Sequence, residues 1–174
     1  MKVWTRRFNI YLTILAGLCL LPGCMTNKPH GPTAALRVHM EAGANFLGTS
    51  EAISVLRAAP VLITIAKEPI LTEANIISAR LIEAPGGFAV EVRFDETGTQ
   101  ILEQYTAANT GFHLAIFGQW GDTAAEARWL AAPLITHRIG NGVLAFTPDM
   151  SHAEAQKLVT GLKNVAEFNK KQTQ

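Results

Sequence analysis

Apolar and polar positions along this chain fall into short blocks of two different periods, separated by turn residues. From Ala35 to Glu41 they alternate, with Leu36, Val38 and Met40 on one side and Arg37, His39 and Glu41 on the other. That is the period of a half-buried strand. Ile53 to Ala66 is apolar and β-branched and is broken at Pro60; Val61 to Ile65 reads as a more buried strand, which Glu68-Pro69 ends. Ile76 to Glu83 suits a strand or a short helix by composition, and Pro85-Gly86-Gly87 directly after it favours a strand turning into the next one. In that next strand Phe88, Val90, Val92 and Phe94 share a face, and Ala89, Glu91, Arg93 and Asp95 share the other.

The period then changes. Ile101, Leu102, Tyr105 and Ala108 recur at helical spacing, with Thr97 and Gln100 placed as a capping box and Asn109-Thr110-Gly111 as a stop. Phe112 to Phe117 is apolar on both faces, as a central strand should be. Trp129 to Ile139 and Val143 to Phe146 predict two further strands, joined as a hairpin through Gly140-Asn141-Gly142. A last helix is expected from Ser151, capped by Glu154, with Ala155, Leu158, Val159, Leu162, Val165 and Ala166 as its buried stripe. Lys163, Lys170 and Lys171 lie toward its C-terminal end, where cations offset the helix dipole. Hairpins and only two helices predict an α+β fold: an antiparallel or mixed β-sheet with two helices packed on one face.

Before this domain the pattern is different. Lys2, Arg6 and Arg7 precede a 12-residue apolar run from Ile10 to Leu21. That run is too short to cross about 30 Å of hydrocarbon as a helix and suits the core of a secretory signal. It ends in Leu21-Pro22-Gly23-Cys24, which resembles the lipobox of bacterial lipoproteins, although Pro22 departs from the usual Ala or Ser. The resemblance implies a leader over residues 1–23, cleaved before Cys24, and lipid attachment at Cys24. An ordinary signal peptide with an incidental Cys24 is the simpler alternative. Residues 24–34, rich in Pro, Gly and polar residues, read as a flexible tether, and residues 35–170 as a single domain. The expected location is the bacterial cell envelope, with the protein membrane-anchored and facing the periplasm.

The leader changes the charge. The whole chain has 15 Lys and Arg against 14 Asp and Glu; without the leader 12 basic residues face 14 acidic ones. A mildly acidic domain has no electrostatic reason to seek nucleic acid or an anionic surface. Cys19 lies in the leader, so the mature chain keeps one cysteine, which excludes an internal disulfide and a thiolate metal site.

Three stretches in order carry a family resemblance. They are Phe94-x-x-x-Gly98-Thr99-x-x-Leu102-x-x-Tyr105-Thr106 running into Gly111-x-x-Leu114-Ala115-Ile116; then Ala132-Pro133-Leu134-Ile135 with Arg138-Ile139 and the glycine turn; then Ser151-x-x-Glu154-Ala155-x-x-Leu158-x-x-x-Leu162. From Phe94 to Leu162 the chain resembles the head of the first periplasmic domain of SecD, in the SecD/SecF protein-export family. The resemblance implies a module that contacts polypeptide and carries over no catalytic residue. SecD proteins continue into membrane helices that hold the proton-conducting residues, whereas this sequence stops shortly after its last helix. A module without that cycle is therefore expected. A short hairpin of the family is replaced here by the longer stretch Gly118 to Trp129.

No arrangement of residues points to chemistry. His30, His39, His113, His137 and His152 lack the i, i+4 spacing of a helical metal site, and there is no G-x-S-x-G elbow. His39, His113 and His137 could meet only if their strands are neighbours. No cofactor, no metal and no enzymatic activity are expected. The mature tryptophans, Trp120 and Trp129, both fall in the inserted stretch. Trp129 is expected to pack; Trp120, flanked by glycines, either stands exposed or folds back over the sheet. On the first alternative Gln119, Trp120 and Trp129 form a partner-binding surface for a protein or unfolded polypeptide. A purely structural envelope lipoprotein is the other functional alternative.

Overall fold

The computed structural model of the protein describes residues 31–44, 46–121 and 126–172. The expected leader, Cys24 and the expected tether as far as residue 30 lie outside the described residues. In chain order the elements are β1 (Ala35–Met40), β2 (Ser50–Val55), β3 (Val61–Ala66), a 3-10 turn (Glu73–Asn75), β4 (Ile76–Ala84), β5 (Gly87–Phe94), α1 (Glu96–Ala108), β6 (Leu114–Gln119), β7 (Ala127–Ala131), β8 (Val143–Phe146) and α2 (His152–Gln172).

Among the described residues all strand pairs are antiparallel and there are two α-helices, which gives the expected α+β class. The strands are divided among three sheets: β1-β6-β7, β4-β5-β8 and the ribbon β2-β3. The main core lies between the two three-stranded sheets and α2. It gathers Leu36 and Val38 from β1, Val90 and Val92 from β5, Ile116 from β6, Leu144 from β8 and Leu158 and Leu162 from α2. Alternation along β1 and β5 places these side chains on one face, and the i, i+3, i+4 stripe of α2 meets them. Ala155, Leu158, Val159 and Leu162 are buried as expected, while Val165 and Ala166 are half-buried.

Glycine lets α2 approach β1 closely. A Cβ at Gly161 would sit 2.6 Å from Ala34 Cβ and 2.7 Å from the Ala34 amide nitrogen. Gly118 serves the inner face of β6 in the same way, since a Cβ there would lie 2.5 Å from Leu130 Cδ1 and 3.7 Å from Leu158 Cδ1.

Four expectations are corrected. The strands around Gly140-Asn141-Gly142 do not form a hairpin: β7 pairs with β6, whereas β8 pairs with β5 in another sheet. Pro133, with no N–H to give, stands just beyond the end of β7, and the chain crosses to the open edge of β5, where the Phe94 N–H donates to Gly142 O at 2.9 Å. The expected strand to Ile139 therefore ends at Ala131. Helix α1 is capped by Asp95, not by Thr97 and Gln100; Asp95 Oδ1 accepts from the Gly98 N–H at 2.6 Å, because β5 runs directly into the cap. Finally, β3 is not a strongly buried strand. A two-stranded ribbon has one covered face, so Ile63 and Ile65 are buried while Leu62 is 78% exposed.

The second capping box forms as expected. Glu154 Oε2 accepts from the Ser151 N–H and hydroxyl at 2.7 and 2.8 Å, and Ser151 Oγ accepts from the Glu154 N–H at 3.3 Å. The Ser151 backbone N–H is the main reason the Glu154 carboxyl is held down, from 4.5 to about 2, with the Ser151 hydroxyl and the Arg128 guanidinium adding to it against the cost of burial. A carboxyl depressed in the folded state contributes stability that is fully present above its ordinary value. That contribution is expected to fade as pH falls from 4.5 toward 2. Thermal melting across this window checks it: Glu154→Gln, which keeps the box shape without the charge, should show a flatter loss than wild type.

Candidate partner-binding surface

The residues expected to form a binding loop are separated by strand alternation. Along β6, Leu114, Ile116 and Gly118 face the core, while Ala115, Phe117 and Gln119 face the opposite side. The next residue, Trp120, continues the inward series and is only 4% exposed. The exposed indole weighed as one alternative is thus corrected: Trp120 is a core residue. Arg128 caps its ring at 4.8 Å, and Arg128 is itself held by Glu154 Oε1 at 2.7 Å and by the Asp149 carbonyl. Only the rim of the indole reaches a shallow groove of about 480 Å³ bounded by Pro32, Ala153, Gln156, Lys157 and Thr160. Counting by twos from Leu114 is the sequence signal that places it, and the flanking glycines obscure that signal.

Trp129 pairs with Phe117 across β6 and β7 and lies on the other face of the sheet. It is half-buried, edge-on to Phe117 at 5.4 Å and to His39 at 5.1 Å. Packing of Trp129 follows the expectation. Gln119 is exposed, its amide donating to Gly121 O at 3.1 Å. The three residues therefore do not share one surface. Residues 122–125 of the inserted stretch lie outside the described residues.

What the structure places on this outer face is the β2-β3 ribbon. Ile53, Val55, Ile63 and Ile65 form a small second core with Ala115 of β6, against which Trp129 and Ala132 pack. The His39 ring Nδ1 lies 3.0 Å from the Ala66 carbonyl, the Ala42 N–H donates to Thr64 O at 2.8 Å, and at the far end Arg57 binds Asp149. The Arg57 N–H and guanidinium hold the Asp149 carboxyl below its usual range, with the guanidinium hydrogen bond the larger cause.

Apolar side chains crowd the tip of this ribbon. Val55 pairs with Val61 across the turn and Ser54 with Leu62. Leu56, Val61 and Leu62 are 38%, 42% and 78% exposed. Leu56 has a φ of +67°, a conformation a leucine rarely adopts, and the three hydrogen bonds that Arg57 donates to the Asp149 carboxylate secure the turn beside it. At the other end of the ribbon Phe46 and Leu47 are also exposed. This patch was missed from the sequence because Val61 and Leu62 read as core-forming strand residues.

The histidines do not converge. His113 pairs with Glu41 at 2.7 Å, His137 contacts Thr136, and among the described residues no three His, Cys, Asp or Glu side chains form a metal-holding group. No helix among them is long and apolar enough to cross a membrane.

Two three-stranded antiparallel sheets packed with the helix α2, and a two-stranded apolar ribbon outside them, define an α+β head-type domain. Residues 50–166 match the family model described as SecDF, P1 head subdomain, and the chain belongs to that family. Two solved structures share the fold. One, "Structure and function of a membrane component SecDF that enhances protein export", has a TM-score of 0.53 and 20% identity over 77% of this chain and 64% of that one. The other, "Crystal structure of SecDF in Super-membrane-facing form", has a TM-score of 0.55 and 20% identity over 77% of this chain and 19% of that one. The chain thus spans less than two thirds of either. No curated protein matches it.

Proposed function

We propose that the protein is a non-enzymatic accessory module of the bacterial cell envelope, lipid-anchored through Cys24 and facing the periplasm, that contacts unfolded polypeptide or a partner protein in export. The observation that carries this reading is the family match over residues 50–166, to a head subdomain of an export component. The charged, apolar and Leu-Pro-Gly-Cys segments of the leader support the anchor. The apolar tip of the ribbon supports the contact: Leu56 in the turn held by Arg57 and Asp149, and Val61 and Leu62 at the start of β3, are exposed, as a surface for apolar side chains of an extended chain requires. Trp129 acts beneath the ribbon as its support, and Gln119 lies on the same sheet face. Trp120 serves from inside by fixing the end of β6.

The test is binding of a fluorescently labelled, permanently unfolded model polypeptide, followed by anisotropy. Wild type is expected to bind, and Leu62→Asp to weaken binding at least tenfold, about 1.4 kcal/mol. Leu62 is exposed, so the substitution should change stability by no more than about 0.5 kcal/mol. Equal binding by wild type and Leu62→Asp would remove the ribbon tip from the reading. No binding by wild type would remove polypeptide contact itself.

A further inference from the structure

The place where the chain enters the domain determines which side can lie nearest an anchor. This inference rests on the reading of Cys24 given above. Pro32 O accepts from Asn164 Nδ2 at 2.8 Å, and Ala34 crosses α2 at Gly161, so the chain enters on the middle of that helix. Seven residue steps separate Cys24 from Gly31. Fully extended they reach at most about 25 Å. A Cys24 held at a bilayer surface therefore keeps the middle of α2 within that distance of it.

The half of α2 beyond this point is basic. Lys163, Lys170 and Lys171 are exposed and, among the described residues, make no ion pair. Helical geometry puts Lys163 and Lys170 about 20° apart on one line, with Lys171 about 100° further round. Glu167 is the one acidic residue between them. Lys170 and Lys171 are about 9–11 Å along the axis from Asn164. The first half of the helix differs, since Glu154 pairs with Arg128 and Lys157 with Glu126. Because the mature chain has more acidic than basic residues, this cation cluster is local and opposes the overall balance.

We propose that the C-terminal half of α2 lies on the anionic lipid headgroups of the membrane that holds Cys24, with Lys163, Lys170 and Lys171 as its contacts. Cations near such a surface are attracted to it within about a Debye length, on the order of fivefold in binding for each lysine. The consequence is an orientation. Sheet β1-β6-β7 has α2 on one face, where Gly118 meets Leu158, and the β2-β3 ribbon on the other, over Ala115. With α2 toward the membrane, the apolar ribbon points away from it, into the space that an exported chain would enter.

The acylated full chain is reconstituted in vesicles carrying a headgroup nitroxide quencher, with a fluorophore on Gln172→Cys or on Ala58→Cys at the ribbon turn. In vesicles rich in phosphatidylglycerol the label at position 172 should be quenched severalfold more than that at 58. The difference should shrink in phosphatidylcholine, at high salt, and in the triple variant Lys163→Glu, Lys170→Glu, Lys171→Glu, while the triple Arg variant keeps it. Equal quenching at the two positions, or a difference that survives the Glu variant, would overturn the orientation while leaving the anchor in place. A preparation carrying no fatty acid on Cys24 would overturn the anchor and with it the orientation.

Discussion

Gly161→Ala is expected to destabilise the domain by about 1–3 kcal/mol, the range of an overpacked core, with Gly161→Val at the upper end or beyond. The sign is the informative part. In an ordinary helix interior, alanine is about 1 kcal/mol more favourable than glycine. Here the added Cβ would stand 2.7 Å from the Ala34 amide nitrogen and 2.8 Å from the Thr33 carbonyl carbon. Both are backbone atoms and cannot rotate away, so either α2 or the start of β1 must shift. β1 holds Leu36 and Val38, both fully buried, and pairs with β6 along its whole length, so the shift propagates into the main core. Denaturant unfolding of Gly161→Ala beside Thr160→Ala, an exposed neighbour on the same helix, checks the argument. The Thr160 variant should be neutral or slightly more stable. If Gly161→Ala were also more stable, the close crossing of α2 and β1 would be wrong.

Trp120→Ala is expected to have a larger effect, about 3–5 kcal/mol of lost stability, the usual cost of removing a large aromatic from a core. The ring is 4% exposed and is packed into the same cluster as Leu130 and Leu158. Arg128 would also lose the ring beneath its guanidinium, a contact contributing about 0.5–1 kcal/mol. Trp120→Phe, which keeps most of the apolar volume, should cost less. Polypeptide affinity measured on the folded fraction should be unchanged in both variants, because the indole faces away from the ribbon. The combination separates a core residue from a recognition anchor. A stable Trp120→Ala that has lost polypeptide binding would restore the loop as the contact surface.

The inserted stretch shows why one expectation failed while its neighbours held. Composition around Trp120, with Gly118 and Gly121 close by, suggests an exposed loop. The glycine at 118 is there for another reason: Leu130 and Leu158 occupy the space its side chain would take. Such a requirement is set by residues 12 and 40 positions away, so no local window contains it. The strand parity that turns Trp120 inward was, by contrast, present locally, and starts at Leu114. Packing of Trp129 is more legible because it lies within a strand, where an aromatic usually packs against its cross-strand neighbour, here Phe117.

What the sequence determined by itself is local. Alternation of Leu36, Val38 and Met40, the same alternation through Phe94, the stripe from Ala155 to Leu162 and the Ser151–Glu154 box each depend on contacts within a few residues, so period and capping chemistry specify them directly. The three family stretches are likewise runs of local pattern in a fixed order. Only the tertiary structure decided which strand lies beside which. β8 joins β5 rather than β7, since the open edge of β5 and the interruption at Pro133 outweigh the Asn-Gly turn signal. The ribbon β2-β3 covers Ala115 with one face and leaves Leu62 in solvent with the other. An apolar strand carries no mark of how many of its faces will be covered; that depends on the partner surfaces assembled from distant parts of the chain, and here it makes the difference between a core strand and a candidate binding surface.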